Sequence, residues 1–334
     1  MRVALVHDDL VQWGGAERVL LGLCEIFPDA PIYTSLYDGD NESLSHLFGL
    51  RDIRTSFLQQ IPGWKSLYKA LLPFYPIAFE QFNFDEYDLV ISHTTRFAKS
   101  IITKPQTKHI CYCHTPPRFL WHFPGYENFG LGEILMTKLR ILDQVSARRV
   151  DFFIAGSENA RRRIKRVYQI DAKVVYPFVD LDRFKNVESF DGGYFVVIGR
   201  PNKYKRVDLA QKVCQELGKE LKIISGNLDE MVVVEILAGC QALLVPGEED
   251  FGLASLEAQA LGKPVVAFKA GGSLETVEDG KTGILFESLN ESDLSGAINR
   301  LNRRRINPQF CRLNASRFSK DNFTLNFKAT VASL

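Results

Sequence analysis

Short apolar runs rich in β-branched residues recur along this chain, separated by stretches whose apolar positions fall at helical spacing. The first run, 3–6, passes through a polar loop containing Gly14 and Gly15 into a helical pattern over 16–27. Further strands are expected at 87–92, 109–113, 151–155 and 173–176, with helices over 131–150 and 158–168. Ser157 stands where a side-chain oxygen starts the second of these helices. A stretch over 176–193 reads as a hinge, and the pattern then restarts. Strand 194–198, loop 199–206 and helix 207–217 are followed by strands 221–224, 242–245 and 264–267, with an edge strand at 284–286. Strand–loop–helix units on both sides of a hinge predict an α/β protein of two Rossmann-like domains facing a cleft. The expected domains are 1–182 and 183–318, with a C-terminal helix, 319–334, free to cross back to the first. After strand 221–224 the chain passes directly into the last helix before strand 242–245.

Length agrees with this division, since 334 residues exceed one ordinary core. A net charge of +1 argues against a dedicated nucleic-acid binder. Charge is uneven, however: Arg148, Arg149, Arg161, Arg162, Arg163, Lys165 and Arg166 crowd one region, and Arg303, Arg304 and Arg305 another. The six cysteines are scattered, without metal-ligand spacing, and read as reduced thiols of a cytoplasmic protein. The N-terminal apolar run is too short for a signal peptide, and no apolar stretch reaches membrane-spanning length. The aromatic-rich segment 57–84, including Trp64, Tyr68, Leu71, Leu72, Phe74, Tyr75, Phe79 and Phe82 with Lys65 and Lys69, has two readings. It either packs inside its domain or rests on a membrane surface and grips a lipid acceptor. The arginine clusters are either solvated helix faces or sites for anionic head groups.

Candidate chemistry concentrates after the strands. Glu249 follows the strand 242–245, in a loop that opens a helix over 253–261, and Glu257 lies two turns into that helix. The amides around Phe251 and Gly252 form a helix N-terminus, which attracts phosphate. One loop thus offers amides for a diphosphate and two carboxylates for hydroxyls, a set that suits a nucleotide sugar. Arg200 and Lys205, after the strand 194–198, would neutralise a leaving diphosphate. Gly271 and Gly272 let a ligand approach the backbone. His114 ends a strand and is followed by the stiff Pro116-Pro117, which would hold it toward the cleft. His93 also ends a strand, where a structural role is the stronger reading. No metal-ligand cluster is seen. A dinucleotide fingerprint is missing from the first loop, which disfavours a nicotinamide enzyme.

Together these residues resemble the GT-B retaining glycosyltransferases of family 4, and within them the bacterial mannosyltransferase-like group of surface-polysaccharide synthesis. The motifs are Gly14-Gly15-Ala16-Glu17, His114-Thr115-Pro116-Pro117-Arg118, Ala155-Gly156-Ser157, Pro177-Phe178-Val179-Asp180, Gly199-Arg200 with Lys205, Glu249 with Glu257, and Gly271-Gly272. The resemblance implies hexose transfer from a nucleotide-diphosphate sugar, with GDP-mannose favoured, to a glycan or lipid-linked acceptor. It implies no cofactor and no metal. Glu249, His114, Arg200 and Lys205 would be the catalytic set. Donor contacts would come from Gly14, Gly15, Arg200, Lys205, Phe251, Gly252, Glu257, Gly271 and Gly272. Glu257 would hold the ribose, and His114 would lie near the sugar and the acceptor hydroxyl. The implied location is cytoplasmic, at the inner face of the plasma membrane as a peripheral protein. Such relatives usually carry a further helix and strand after 221–224, so against them the second domain is short by about one βα unit, which leaves as a rival a non-catalytic nucleotide-sugar-binding subunit; a GT-B nucleotide-sugar epimerase of similar architecture is another.

Overall fold

The computed structural model describes the chain except residues 69, 124–131, 200–202 and 227. The described residues form two compact units. One holds Met1–Phe123, the described residues on to Val175, and Phe327–Leu334; the other holds Tyr176–Asn326.

Strands of the first unit are β1 (Val3–His7), β2 (Ile32–Thr34), β3 (Ile53–Thr55), β4 (Leu89–Thr94), β5 (Lys108–Cys113), β6 (Phe152–Ala155) and β7 (Ala172–Val174). They form one parallel sheet in the order β3-β2-β1-β4-β5-β6-β7. The order reverses between β1 and β4, the switch point beyond which open sheets of this kind hold ligands. Helices α1 (Gly15–Ile26), α2 (Glu42–Phe48), α3 (Trp64–Leu67), α4 (Tyr75–Glu80), α5 (Glu133–Ala147) and α6 (Glu158–Tyr168) surround it. Ser157 Oγ accepts from the Ala160 N–H at 2.9 Å, the cap that starts α6.

The aromatic segment is mainly core. Leu71, Leu72, Tyr75 and Phe79 are buried, with Trp64, Tyr68 and Phe82 packed against them. Lys65 pairs with Asp38 and Asp40, both at 2.6 Å. Leu67, Phe74 and Ile77 stay exposed, and Lys69 lies outside the described residues. Packing, rather than a lipid face, accounts for most of that sequence.

In the second unit β8 (Tyr194–Ile198), β9 (Glu220–Ile224), β10 (Cys240–Val245), β11 (Val265–Phe268) and β12 (Gly283–Phe286) form a parallel sheet, ordered β12-β11-β10-β8-β9. The helices are α7 (Val207–Glu216), α8 (Glu230–Ala238), α9 (Leu253–Ala260), α10 (Ser273–Thr276), α11 (Glu291–Arg303), α12 (Pro308–Ser316) and α13 (Lys320–Ala332), the last ending among residues of the first unit. Alternate strand residues serve two cores. Val196, Leu243, Val265 and Ala267 meet Leu237 of α8 and Leu256 of α9. Phe195, Ala242, Leu244 and Val266 meet Val213 of α7 and Ile298 of α11. Among the described residues β9 is an edge strand, and α8 leads from it straight to β10. Among the described residues no helix is long and apolar enough to cross a membrane.

Candidate active site

In the second unit β8, β10 and β11 are neighbours, so their carboxyl ends set three loops side by side. Lys205, from the first loop, donates from Nζ to Glu249 Oε1 in the second. Two of the expected catalytic residues therefore meet, although 44 positions separate them. Arg200 lies outside the described residues. Glycines make the loops interlock. A Cβ on Gly247 would stand 1.8 Å from Tyr204 O, so no side chain fits while the turn before Lys205 lies there. A Cβ on Gly272 would stand 2.2 Å from the Phe251 Cα and O. The Gly272 N–H donates to Glu249 O at 2.8 Å, tying the third loop to the second. Gly271, at φ +57°, and Gly252, at φ +100°, occupy left-handed backbone that favours glycine.

Gly252 caps α9, whose N-terminus faces the same loops. The Phe251 ring is buried and stacks on Tyr176 at 5.5 Å, so only its backbone is available to a ligand. Glu257 lies on α9 with Oε1 3.3 Å from Arg183 Nη1, and Arg183 Nη2 is 3.3 Å from Glu230 Oε2. Sequence reasoning misses Arg183 as a site residue, since nothing in its local sequence links it to Glu257. Cations and helix amides beside two carboxylates can bind a phosphate and accept from hydroxyls in one place.

The first unit gathers its polar groups at the ends of β1, β4 and β5. His7 pairs in register with His93, and His93 with Tyr112. In-register residues share a face, and His114, two past Tyr112, continues it. The rings accordingly cluster: His7 stacks on His93 at 5.0 Å, and His114 meets His93 edge-on at 4.6 Å. Thr115 Oγ1 accepts from Arg163 Nη1 at 3.1 Å, which fastens the loop after His114 to α6. Sequence reasoning leaves His7 and His93 out of the site; each closes an apolar run, as His114 does, and that shared position is the available signal.

Gly14 caps α1, which Gly15 begins. A Cβ on Gly14 would stand 3.2 Å from Glu17 Oε2, so the glycine leaves room for that buried carboxylate. Asp8 accepts from the amides of Thr95, Arg96, Phe97 and Ala98 at 2.7–3.0 Å. Burial alone would raise its pKa, but Arg96, His7 and those amides hold it below the ordinary value. Asp9 takes Arg96 as ion-pair partner and accepts from Tyr75 at 3.1 Å. Burial, with Asp8 and Glu17 adding to it, raises Asp9 despite Arg96. Among the described residues no group of three or more His, Cys, Asp or Glu could hold a metal ion.

Comparison with known proteins agrees with this architecture. Residues 13–183 match the family model "Glycosyltransferase Family 4", and residues 181–317 match "Glycosyl transferases group 1". The alpha-1,3/1,6-mannosyltransferase ALG2 of Kluyveromyces lactis is 24% identical, over 83% of this chain and 71% of its own. The D-inositol 3-phosphate glycosyltransferase of Mycobacterium leprae is 26% identical over 52% of each, so this chain spans about half of that relative. Among solved structures, the sucrose-phosphate synthase of Thermosynechococcus elongatus superposes with a TM-score of 0.73 at 16% identity, covering 100% of this chain and 99% of that one. Anabaena Alr3699/HepE in complex with UDP and glucose gives 0.71 at 18% identity, covering 100% of both. At these identities the structural likeness speaks for the fold.

Proposed function

The chain belongs to the family 4 glycosyltransferases and has the GT-B plan of two Rossmann-like units, and from that premise we propose that it moves a hexose, mannose from GDP-mannose before others, to a glycan or lipid-linked acceptor of surface-polysaccharide synthesis. The observation that carries this reading is the meeting of Lys205 and Glu249 beyond the ends of β8 and β10, at the N-terminus of α9. In the free protein each charge compensates the other. A bound diphosphate would take over Lys205 and the amides around Phe251 and Gly252, with Arg200 as second cation, and Glu249 would turn to the sugar hydroxyls. Gly271 and Gly272 would keep the backbone open to the donor. Glu257 would accept from the ribose after exchanging Arg183 for it.

The first unit would contribute the Gly14–Gly15 backbone and His114. Transfer with retention breaks the bond from C1 to the phosphate oxygen and forms one from C1 to the acceptor oxygen on the same face. The acceptor's proton leaves to the departing phosphate. No resident metal is required in this scheme, so turnover should survive a chelator. Glu249→Ala and Lys205→Ala should each lower kcat by roughly 10²–10³ in a transfer assay run with a panel of nucleotide sugars. Unchanged turnover in both variants rejects the site. Saturable donor binding without transfer to any acceptor favours a non-catalytic donor-binding subunit, the second reading, which the direct passage from β9 into α8 supports.

We also propose a peripheral membrane contact through α5 and α6, which are neighbours. Of their basic cluster, Arg149 pairs with Glu80, Arg161 with Glu158 and Lys165 with Asp171, and Arg163 is buried. Arg148, Arg162 and Arg166 are exposed, as are Ile134, Ile141 and Val145 of α5. Changing the three arginines to alanine should reduce sedimentation with anionic vesicles and leave neutral vesicles unaffected. Equal sedimentation of both proteins with anionic vesicles rejects the contact.

A further inference from the structure

The three histidines at the carboxyl ends of β1, β4 and β5 form a line ending on a carboxylate. His114 Nε2 lies 2.7 Å from His93 Nε2, and His93 Nδ1 lies 2.9 Å from His7 Nδ1. His7 Nε2 lies 3.5 Å from Glu17 Oε1, an ion-pair separation longer than a good hydrogen bond. His7, His93 and Glu17 are buried. We propose that Glu17, His7 and His93 act as a proton relay that sets which ring nitrogen of His114 carries hydrogen. The proposal deepens the assignment of His114 to the transfer site and rests on it for its functional meaning. Glu17, His7 and His93 are positioning residues in this scheme, since they act through His114.

Where two imidazole nitrogens approach within 3 Å, one must donate and the other accept. His93 makes such a contact through both of its nitrogens. Burial and its two histidine neighbours push its pKa well below the ordinary value, so it is neutral, with one N–H and one lone pair. If it donates at Nδ1 it must accept at Nε2, and the reverse. It therefore transmits the state of one neighbour to the other.

Glu17 decides the state at the buried end. Burial alone would lower the pKa of His7, but Glu17, Asp8 and Asp9 outweigh it and the net shift is upward. Among the described residues the other charged and titratable groups around this point include Arg96, paired with Asp9, Tyr75, which donates to Asp9, and Tyr112, stacked on His93 at 5.5 Å. When His7 is neutral, the carboxylate selects its Nε2–H form. His93 then donates from Nδ1, and His114 donates from Nε2 and keeps a lone pair on Nδ1. When His7 is an imidazolium, its Nδ1–H donates to His93, His93 donates from Nε2 to His114, and His114 carries its hydrogen on Nδ1.

A proton arriving at His114 Nδ1 thus ends on His7 in two hops. The Nε2 proton of His114 passes to His93 Nε2, and the Nδ1 proton of His93 passes to His7 Nδ1. Charge comes to rest on His7, beside Glu17. Below the pKa of His7, His114 carries its hydrogen on Nδ1; above it, on Nε2.

Nitrogen NMR of the histidine rings in the full chain tests this. In the wild-type protein, the His114 nitrogens should exchange donor and acceptor character at the same pH midpoint as His7. Glu17→Gln should move both midpoints down together, by about one pH unit or more. His7→Asn keeps an amide near the Nδ1 position but cannot take up a proton, and should abolish the response of His114. An unchanged His114 midpoint in both variants overturns the relay. Should either variant fail to fold, the wild-type protein alone decides: coupling between ring nitrogens across the His7–His93 and His93–His114 contacts is expected, and its absence overturns the relay. None of these readings needs a substrate. An intact relay in a protein without transfer would reject the functional reading alone, and an active transferase without coupled titration would reject the relay alone.

Discussion

His109 lies near the start of β5, and its environment drives its proton the opposite way from His7. Its Nε2 is 2.8 Å from Ser92 Oγ, and burial, only partly offset by Asp151, pulls its pKa down to about 4. A depressed histidine contributes stability that is present above the unfolded value of about 6.5 and lost as pH falls toward the folded one. Stability should therefore drop by about 3 kcal/mol between those limits from this residue alone. His109→Gln should flatten urea-unfolding stability over that window, and an equally steep profile in the variant would refute the assignment. Gly272 makes a steric prediction at the same scale. A methyl group there must push Phe251 away, because 2.2 Å to its Cα and O leaves no room. Gly272→Ala should cost roughly 1–3 kcal/mol and loosen the loop that holds Glu249. A wild-type melting temperature together with wild-type donor affinity would show that the loops do not need their contact.

Helix α12 shows how one element holds another in place. Asn314 donates from Nδ2 to Gln259 Oε1 at 2.7 Å and to Thr276 O at 2.9 Å, joining α12 to α9 and to the end of α10. Gln259 Nε2 also reaches Thr276 O, at 2.7 Å. These helices follow the two loops that meet at Glu249. Asn314→Ala leaves a buried amide oxygen without its donor and should cost about 1–3 kcal/mol by chemical denaturation; a loss below half of that would mean water takes the vacated place. The same helix explains part of what sequence reading misses. Its buried face is Cys311, Asn314 and Ala315, too polar and small to mark a helix by apolar spacing. β2 and β3 have three residues each, fewer than an alternation needs to become visible. By contrast β8 and α6 lie where the pattern puts them, since one is a continuous apolar run, buried but for its last residue, and the other opens on a capping serine. Lys205 and Glu249 can be paired in advance because each follows a strand with a clear pattern. His7, His93 and His114 cannot, because their meeting depends on the order β1-β4-β5, and periodicity along a chain does not say which strands become neighbours.

At the scale of the whole molecule, each unit has its own sheet and closes its own core, which bears on how ligand binding should register. A ligand that binds only one folded unit raises the stability of that unit by mass action. Asn314 belongs to the second unit. Phe327 is wholly buried in the first, against Phe27 at 6.3 Å and Tyr112 at 6.2 Å, so Phe327→Ala should cost that unit about 3–5 kcal/mol. The two substitutions thus label two unfolding events. In calorimetry, GDP-mannose should raise the transition that Asn314→Ala lowers by more than the one that Phe327→Ala lowers, since most of the proposed donor contacts lie in the second unit. UDP-glucose should raise it less if GDP-mannose is the preferred donor. A donor that raised only the transition marked by Phe327 would move the nucleotide site to the first unit, and would take from Lys205, Glu249 and Glu257 their roles in holding it.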